Sequence, residues 1–305
     1  MREFLRNPGS LFVPVTDRSY RIIIWVTGGY SLLVSIIPLV RLVPRPPLQL
    51  AIWLACYLLY RLRPIPESVR RWIFYAFLFV TYPALRNVVT SYHASFHCAD
   101  VIAAERWIFG FLPTYRLQLL LNPGGTLRWF DYVFAAFHAT IFWLPILFPA
   151  ILLAGRGPER MKRATVALTI ISLAGYLTYV LYPVTPPWMA SLEGQAPPMP
   201  RLVFRALGRM VPGSVAGAFQ PSPRGAMPSL HAGVPLLILM MAIREYGRRA
   251  AWVFLPAAVI IFEIVYGAEH YVVDVMAGAL YAVITYLVVY RVLIPRVSEG
   301  GGSSG

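Results

Sequence analysis

The chain alternates long apolar runs with short polar connections that are rich in proline and glycine. A helix needs about 20 mostly apolar residues to cross a bilayer. We therefore predict an all-α membrane protein, a multi-pass helical bundle of about eight spans (six to eight). The span at 47–61 is short, so it either crosses or re-enters the bilayer. The predicted spans are residues 20–43, 47–61, 72–90, 129–154, 162–183, 228–245, 250–268 and 271–292.

Two connections are much longer than the others, residues 91–128 and 184–227. The first is rich in aromatic residues and the second in proline and glycine, and long connections in compact proteins often form lids or binding segments. We predict that both are interfacial outer loops. Residues 1–71 then form an N-terminal membrane segment of two spans, and residues 72–296 form the main bundle. Residues 297–305 resemble an added flexible linker.

Composition and charge support a lipid environment. Hydrophobic residues make up 58% of the chain and charged residues 13%, against about 25% charged residues in soluble domains. The net charge is +14, but the basic residues lie mostly in short connections, which is a topology signal and argues against a nucleic-acid partner. Their distribution, clearest at 156–163 and 244–249, favours an N-terminus in the cytoplasm. If the second span does not cross, the N-terminus lies outside, and the later spans keep their orientation. All but one of the 27 basic residues are arginine, a bias that indicates GC-rich coding and hence a bacterial source. We therefore predict a protein of the bacterial plasma membrane.

Two short segments carry the candidate chemistry, one at the start of the sixth predicted span and one at the start of the eighth. They hold His231 in the first and His270 with Asp274 in the second, all at the non-cytoplasmic face. His270 and Asp274 are four residues apart and share a helix face. A carboxylate there fixes the imidazole tautomer and leaves the other ring nitrogen as a nucleophile. We expect the two rings to face a shared anion-sized gap, with Asp274 behind the second ring.

The residues before His231 suit an anion. Ser229, Leu230 and the following amides lie at a helix N-terminus, where unpaired N–H groups and the helix dipole favour phosphate. His231 is then placed to protonate a leaving oxygen. Arg224 is a candidate cation for the same anion, or else a solvated loop charge.

Two other interpretations of these residues stay open. Two histidines and an aspartate can bind zinc, but the chain lacks an HExxH-type ligand pair, so we predict no metal and no cofactor. A histidine at a membrane interface can also be purely structural. An aspartate inside an apolar run, however, costs about 2.5–3.5 kcal/mol on insertion scales and is a functional candidate by default.

The motifs resemble those of the type 2 phosphatidic acid phosphatase superfamily. Residues 228–231 match its Pro-Ser-x-His segment, and residues 270–274 match its His-x-x-x-Asp segment. The likeness is closest to the inositol phosphorylceramide synthase branch, through Ala-Met-Pro-Ser-Leu-His-Ala-Gly at 226–233 and the Pro-Pro-Trp segment within 182–188. It covers about residues 95–292.

The resemblance implies a role for each matched residue. His270 would attack phosphorus and form a phosphohistidine, with Asp274 orienting it and stabilising its charge. His231 would protonate the departing alcohol and then activate the acceptor. Ser229 and nearby amides would hold phosphate oxygens, without a metal or organic cofactor.

The chain departs from the phosphatases of the superfamily in its cations. These enzymes have a Lys-x6-Arg-Pro segment and an arginine six residues before the nucleophile, whereas this chain has Pro186-Pro187 and Ile264 there. A phosphodiester carries one charge and needs fewer cations than a phosphate monoester. We therefore predict a lipid phosphotransferase that moves a phosphorylated headgroup, with phosphoinositol suggested by resemblance alone, from a phospholipid donor to a lipid or polyol hydroxyl. The alternatives are a lipid phosphate or pyrophosphate phosphatase, and a membrane transporter or scaffold.

Other polar residues have weaker interpretations. We expect Asp100 and Glu105 to form interfacial salt bridges with neighbouring arginines, or else to bind a polyol headgroup. We interpret His138 and Asp131 as packing or interhelical hydrogen bonding. Glu263 either tunes the site or pairs with an arginine.

Overall fold

The computed structural model describes residues 12–40, 48–79, 81, 96–212 and 224–295. Within these residues the regular secondary structure is helical, which confirms the all-α class. The helices are α1 (Arg18–Val40), α2 (Leu48–Arg61), α3 (Glu67–Arg70), α4 (Ala99–Phe109), α5 (Pro113–Leu121), α6 (Trp129–Thr140), α7 (Leu144–Arg156), α8 (Pro158–Leu181), α9 (Pro187–Leu192), α10 (Leu202–Met210), α11 (Leu230–Tyr246), α12 (Phe254–Tyr266) and α13 (Val272–Leu287).

Three helical segments among the described residues are long and apolar enough to cross a membrane: Arg18–Ile36, Pro158–Leu181 and Val272–Leu293. The pair α6 and α7 makes a fourth candidate if it counts as one span, although it bends by 55° where the chain leaves α6. These segments indicate an integral membrane protein. A count of about eight spans is not confirmed, because α2, α11 and α12 have only 14, 17 and 13 residues.

Two predicted spans differ in detail. The span predicted at 72–90 lies largely outside the described residues, of which 73–79 are helical. The span predicted at 250–268 begins later, because Gly247–Val253 forms a 3-10 helix before α12. Apolar composition continues through this tighter turn, so hydropathy alone does not show the change of helix type.

The two long connections contain helices where the sequence predicted loops. In the first, α4 ends at Gly110, which has φ 76°, and α5 begins at Pro113. A left-handed glycine ends a helix and a proline fits the first turn of the next. In the second, α10 buries Leu202, Val203 and Leu207 on one face and alternates them with arginines. Such an amphipathic helix carries no continuous apolar run.

The N-terminal segment shares its core with the rest of the bundle. Helix α1 lies along α8, with the rings of Tyr30 and Tyr176 at 6.5 Å between centroids. Lys162 at the start of α8 forms ion pairs with Asp17 and Glu159. Residues 12–40 are therefore packed onto the bundle.

Helices α11 and α13 cross at glycines, and this crossing brings their N-terminal ends together. A Cβ atom added at Gly278 would lie 2.2 Å from the carbonyl oxygen of Ser229, and one added at Gly233 would lie 2.8 Å from the Gly278 carbonyl oxygen. The backbone N–H of Ser229 donates to the carbonyl of Asp274 at 2.9 Å. Small residues allow such close backbone contact between helices in lipid.

We predict that Gly278→Ala lowers the free energy of unfolding by about 1–3 kcal/mol, the usual range for overpacking. The reason is that the clash is with a backbone carbonyl, which cannot rotate away. Gly29→Ala, in α1, is the matched control, because a Cβ there meets nothing within 4 Å. Thermal unfolding of both variants in detergent checks the prediction, and equal midpoints would contradict it.

Candidate active site

His270 lies in the tight turn between α12 and α13 and is only 4% exposed. Its backbone N–H donates to the Ile264 carbonyl at 3.1 Å. On its imidazole, Nδ1 lies 2.9 Å from the carbonyl oxygen of Ala226. Because a carbonyl oxygen only accepts, we infer that Nδ1 carries the proton and Nε2 keeps its lone pair. The fold thus holds His270 in a tautomer suited to nucleophilic attack.

His231 lies in the first turn of α11 and faces His270 directly. Its Nδ1 is 2.9 Å from Nε2 of His270, and the ring centroids are 5.2 Å apart. Since Nε2 of His270 accepts, His231 donates the proton of this hydrogen bond. The rings therefore touch, where we expected an anion-sized gap between them.

Asp274 is fully buried behind the ring of His270. Its Oδ2 lies 3.6 Å from Nδ1 of His270 and accepts the backbone N–H of Tyr271 at 2.9 Å. The shorter contact of His270 is with the Ala226 carbonyl. The carbonyl therefore fixes the tautomer, whereas the carboxylate supplies nearby negative charge and caps α13.

The predicted anion-binding residues are placed differently from one another. Ser229 is buried next to the histidines as the N-cap of α11, with its Oγ accepting the N–H of Ala232 at 3.3 Å. The side chain of Leu230 packs on Gly175 of α8. Arg224 donates to Glu193 at 2.6 Å and to Thr185 Oγ1 at 2.7 Å. Its guanidinium is therefore neither a solvated loop charge nor an unpaired cation.

A family model for the PAP2 superfamily matches residues 116–288, more than half of the chain. The chain belongs to the PAP2 superfamily. The matched region contains both histidines and Asp274, and the resemblance inferred from the motifs is confirmed. Membership of this superfamily supports a phosphotransferase or phosphatase activity.

Among characterised relatives, the chain is similar to phosphoinositol dihydroceramide synthase of Bacteroides thetaiotaomicron. The two sequences are 26% identical over 215 residues. The match covers 62% of this chain and 66% of the relative, just under two thirds of its length. No solved structure matches the chain with significance.

An ion pair that the sequence did not predict lies beside His270. Arg201 donates to the buried Glu269, with Nη2 2.8 Å from Oε2, and Glu269 immediately precedes His270. The guanidinium also lies 3.7 Å from the centroid of the Phe204 ring. The sequence signal for this ion pair was an arginine directly before the amphipathic helix α10. The sequence does not identify its partner, which is 68 residues away.

The acidic residues of α4 do not form the predicted salt bridges with arginines. Asp100 pairs with His97 Nδ1 at 2.6 Å and accepts the hydroxyl of Tyr182 at 2.6 Å. Glu105 is fully buried and accepts the backbone N–H of Val273 at 3.1 Å. Burial raises the pKa of Glu105 to about 7, although the backbone N–H opposes this shift. Glu105 therefore ties α4 to the first turn of α13.

Glu263 pairs with a histidine and not with an arginine. Its Oε1 is 2.8 Å from Nδ1 of His138, which links α12 to α6 as an interhelical hydrogen bond. This confirms interhelical bonding for His138, but its ring also lies 5.3 Å from that of His231. Asp131 caps α6 through the N–H of Arg128 and accepts the hydroxyl of Tyr266 at 2.9 Å.

The zinc interpretation lacks a ligand set in the part of the chain that the structure describes. No three histidine, cysteine or acidic side chains there are arranged to hold a metal ion. His231 and His270 instead share a hydrogen bond, which directs one ring nitrogen of each toward the other ring.

Proposed function

We propose that the protein transfers a phosphorylated headgroup from a phospholipid to a lipid or polyol hydroxyl through a phosphohistidine at His270. The contact between Nε2 of His270 and Nδ1 of His231 at 2.9 Å carries this proposal. It pairs a ring nitrogen that has a free lone pair with one that has a proton to give. Nucleophile and general acid are the two functions that phosphoryl transfer through a covalent intermediate needs.

In the proposed first half-reaction, Nε2 of His270 attacks phosphorus while His231 protonates the departing alcohol. The imidazole becomes positively charged, and the carboxylate of Asp274 with the carbonyl of Ala226 stabilises that charge. In the second half-reaction an acceptor hydroxyl attacks phosphorus, and the bond to His270 breaks. Ser229 ends the loop at the N-terminus of α11, where amides favour phosphate oxygens.

The charges around the site favour a monoanionic phosphodiester donor. The superfamily's phosphatases have an arginine six residues before the nucleophile, and this chain has the buried Ile264 there. Arg201 and Arg224 are each paired with a glutamate. Phosphatidylinositol as donor and a ceramide-type acceptor rest on the similarity to the named synthase.

We further propose the arrangement of the protein in its membrane. In this arrangement the shorter helices also cross the bilayer, which gives about eight spans. The histidines would then lie at the non-cytoplasmic face of a bacterial plasma membrane. Residues 72–296 would form the catalytic bundle, which includes the two long interfacial outer segments. The N-terminal segment 1–71 would support α8, as the contact between α1 and α8 suggests.

A product assay tests the reaction type. Purified protein in nanodiscs is given phosphatidylinositol and other phospholipids labelled at phosphate, each with and without ceramide, diacylglycerol and polyols. We expect a new labelled lipid or polyol phosphate that forms only when donor and acceptor are both present. Free labelled phosphate or headgroup would instead indicate hydrolysis, and the absence of any covalent change would favour a transporter or scaffold.

A further inference from the structure

The site contains a second histidine backed by a carboxylate, besides His270 with Asp274. His138 of α6 and Glu263 of α12 are both completely buried, and Nδ1 lies 2.8 Å from Oε1. Among the described residues, Nε2 of His138 has no hydrogen-bond partner, and neither has Oε2 of Glu263. When a carboxylate holds the Nδ1 proton of a histidine, Nε2 is the ring nitrogen that can take up or release a proton.

The ring of His138 lies close to the catalytic pair. The His138 ring centroid is 5.3 Å from that of His231, closer than it is to the rings of Phe204 at 6.1 Å and Phe142 at 6.3 Å. Phe142 lies in the break between α6 and α7 and is 6.4 Å from the His231 ring. His138 and Phe142 therefore both lie next to the His231 ring.

A purely structural link between α6 and α12 does not need these groups. Two apolar side chains would pack there without leaving buried nitrogen and oxygen atoms unpaired, which costs free energy. The same two helices already have a polar link, because the hydroxyl of Tyr266 donates to Asp131 at 2.9 Å. Ionisable residues buried within a membrane protein are functional candidates by default.

We propose that His138, backed by Glu263, is the base that takes the proton of the acceptor hydroxyl, and that His231 acts only as the acid for the leaving alcohol. The inference rests on the proposed phosphohistidine at His270. It divides the acid and base roles between adjacent rings, where the resemblance alone would give both to His231.

The proton and bond balance closes over one cycle. His231 enters the cycle as the imidazolium, gives one proton to the departing alcohol as His270 bonds to phosphorus, and becomes neutral. Nε2 of His138 then takes the acceptor's proton as the new P–O bond forms and the P–N bond breaks, its electron pair returning to His270. The imidazolium of His138 faces Glu263, and its proton passes to the adjacent His231 ring, which restores the starting state.

The test separates the two half-reactions by rapid quench. Enzyme in nanodiscs is mixed with phosphatidylinositol labelled at phosphate, and the labelled enzyme is then chased with ceramide. For His138→Gln we expect phosphoenzyme formation within about threefold of the unmodified protein, and a transfer step slowed by about 10²–10⁴-fold, the usual value of general-base catalysis. Labelled enzyme should therefore accumulate. Glu263→Gln should slow the same step by about 10–100-fold, as expected for an outer-shell partner.

Tyr266→Phe is the matched control, because it removes the other polar link between α6 and α12 away from His231. It should not cause accumulation of labelled enzyme, whatever its effect on thermal stability. Equal slowing of both half-reactions in His138→Gln, or an unchanged transfer step, would overturn the role of His138 while leaving His270 as nucleophile. If the unmodified protein turned over donor and acceptor but carried no label when the acceptor was withheld, the phosphohistidine and this inference would be overturned together.

Discussion

Replacing His270 with alanine should reduce turnover of the labelled phospholipid by about 10⁴-fold or more, as expected when a covalent nucleophile is removed. Its imidazole holds Nε2 with a free lone pair directly opposite a proton donor. Neither His231, whose Nδ1 is already a donor, nor Asp274, which lies behind the ring, can take over.

The measurement pairs activity with detection of the intermediate. Enzyme quenched in base during turnover should carry label on residue 270, because phosphohistidine survives base and not acid. His270→Gln serves as a second variant, since its amide can still donate to the Ala226 carbonyl and spare the turn that His270 anchors. Thermal unfolding should stay close to that of the unmodified protein for the glutamine variant. Retention of one hundredth of the activity or more in both variants would refute the role of His270.

The two histidine segments were predictable as candidates because each is local in sequence. Residues 228–231 and 270–274 each combine a helix start with a side chain of known chemistry, and their apolar flanks predict that both lie at one membrane face. Their mutual contact depends on Gly233 and Gly278, which let α11 and α13 approach. The sequence shows these glycines but not which helix faces them, so the direct contact of the rings was not foreseen.

Contacts between residues far apart in sequence account for most of the differences between the predictions and the structure. Glu263 was expected to tune the site or meet an arginine, but it binds His138, which lies 125 residues away. Arg201 escaped notice for the same reason, since its partner Glu269 is in another connection. The helices of the long connections were missed because they are short and amphipathic, and hydropathy over a bilayer-length window averages their pattern away.

The pairing of Arg201 and Arg224 with glutamates bears on how the proposed reaction balances phosphate charge. Arg201 and Arg224 are each bound to a glutamate, so neither presents a full positive charge to a ligand. The positive charge at the reacting centre then comes mainly from the histidines as protons move. A site of this kind suits a substrate whose phosphorus carries one negative charge through the whole cycle, as a phosphodiester does.

Asp274→Asn should slow phosphoenzyme formation by about 10²–10³-fold, the usual loss when one preorganised electrostatic contact of an active site is removed. The reason is electrostatic. His270 gains positive charge when it bonds to phosphorus. The buried carboxylate of Asp274, 3.6 Å from Nδ1, stabilises that charge, and burial strengthens the attraction. The tautomer itself should persist, because the Ala226 carbonyl holds Nδ1 at 2.9 Å.

The asparagine variant isolates charge from structure. Its side-chain oxygen can still accept the N–H of Tyr271, so the cap of α13 is kept and the protein should fold. Asp274→Ala removes the cap as well and should cost about 1 kcal/mol more in stability. Rapid-quench rates and thermal unfolding of the two variants separate these effects. If Asp274→Asn formed phosphoenzyme at more than a tenth of the normal rate, the Ala226 carbonyl would suffice to support His270, and the charge of Asp274 would have no large part in the chemistry.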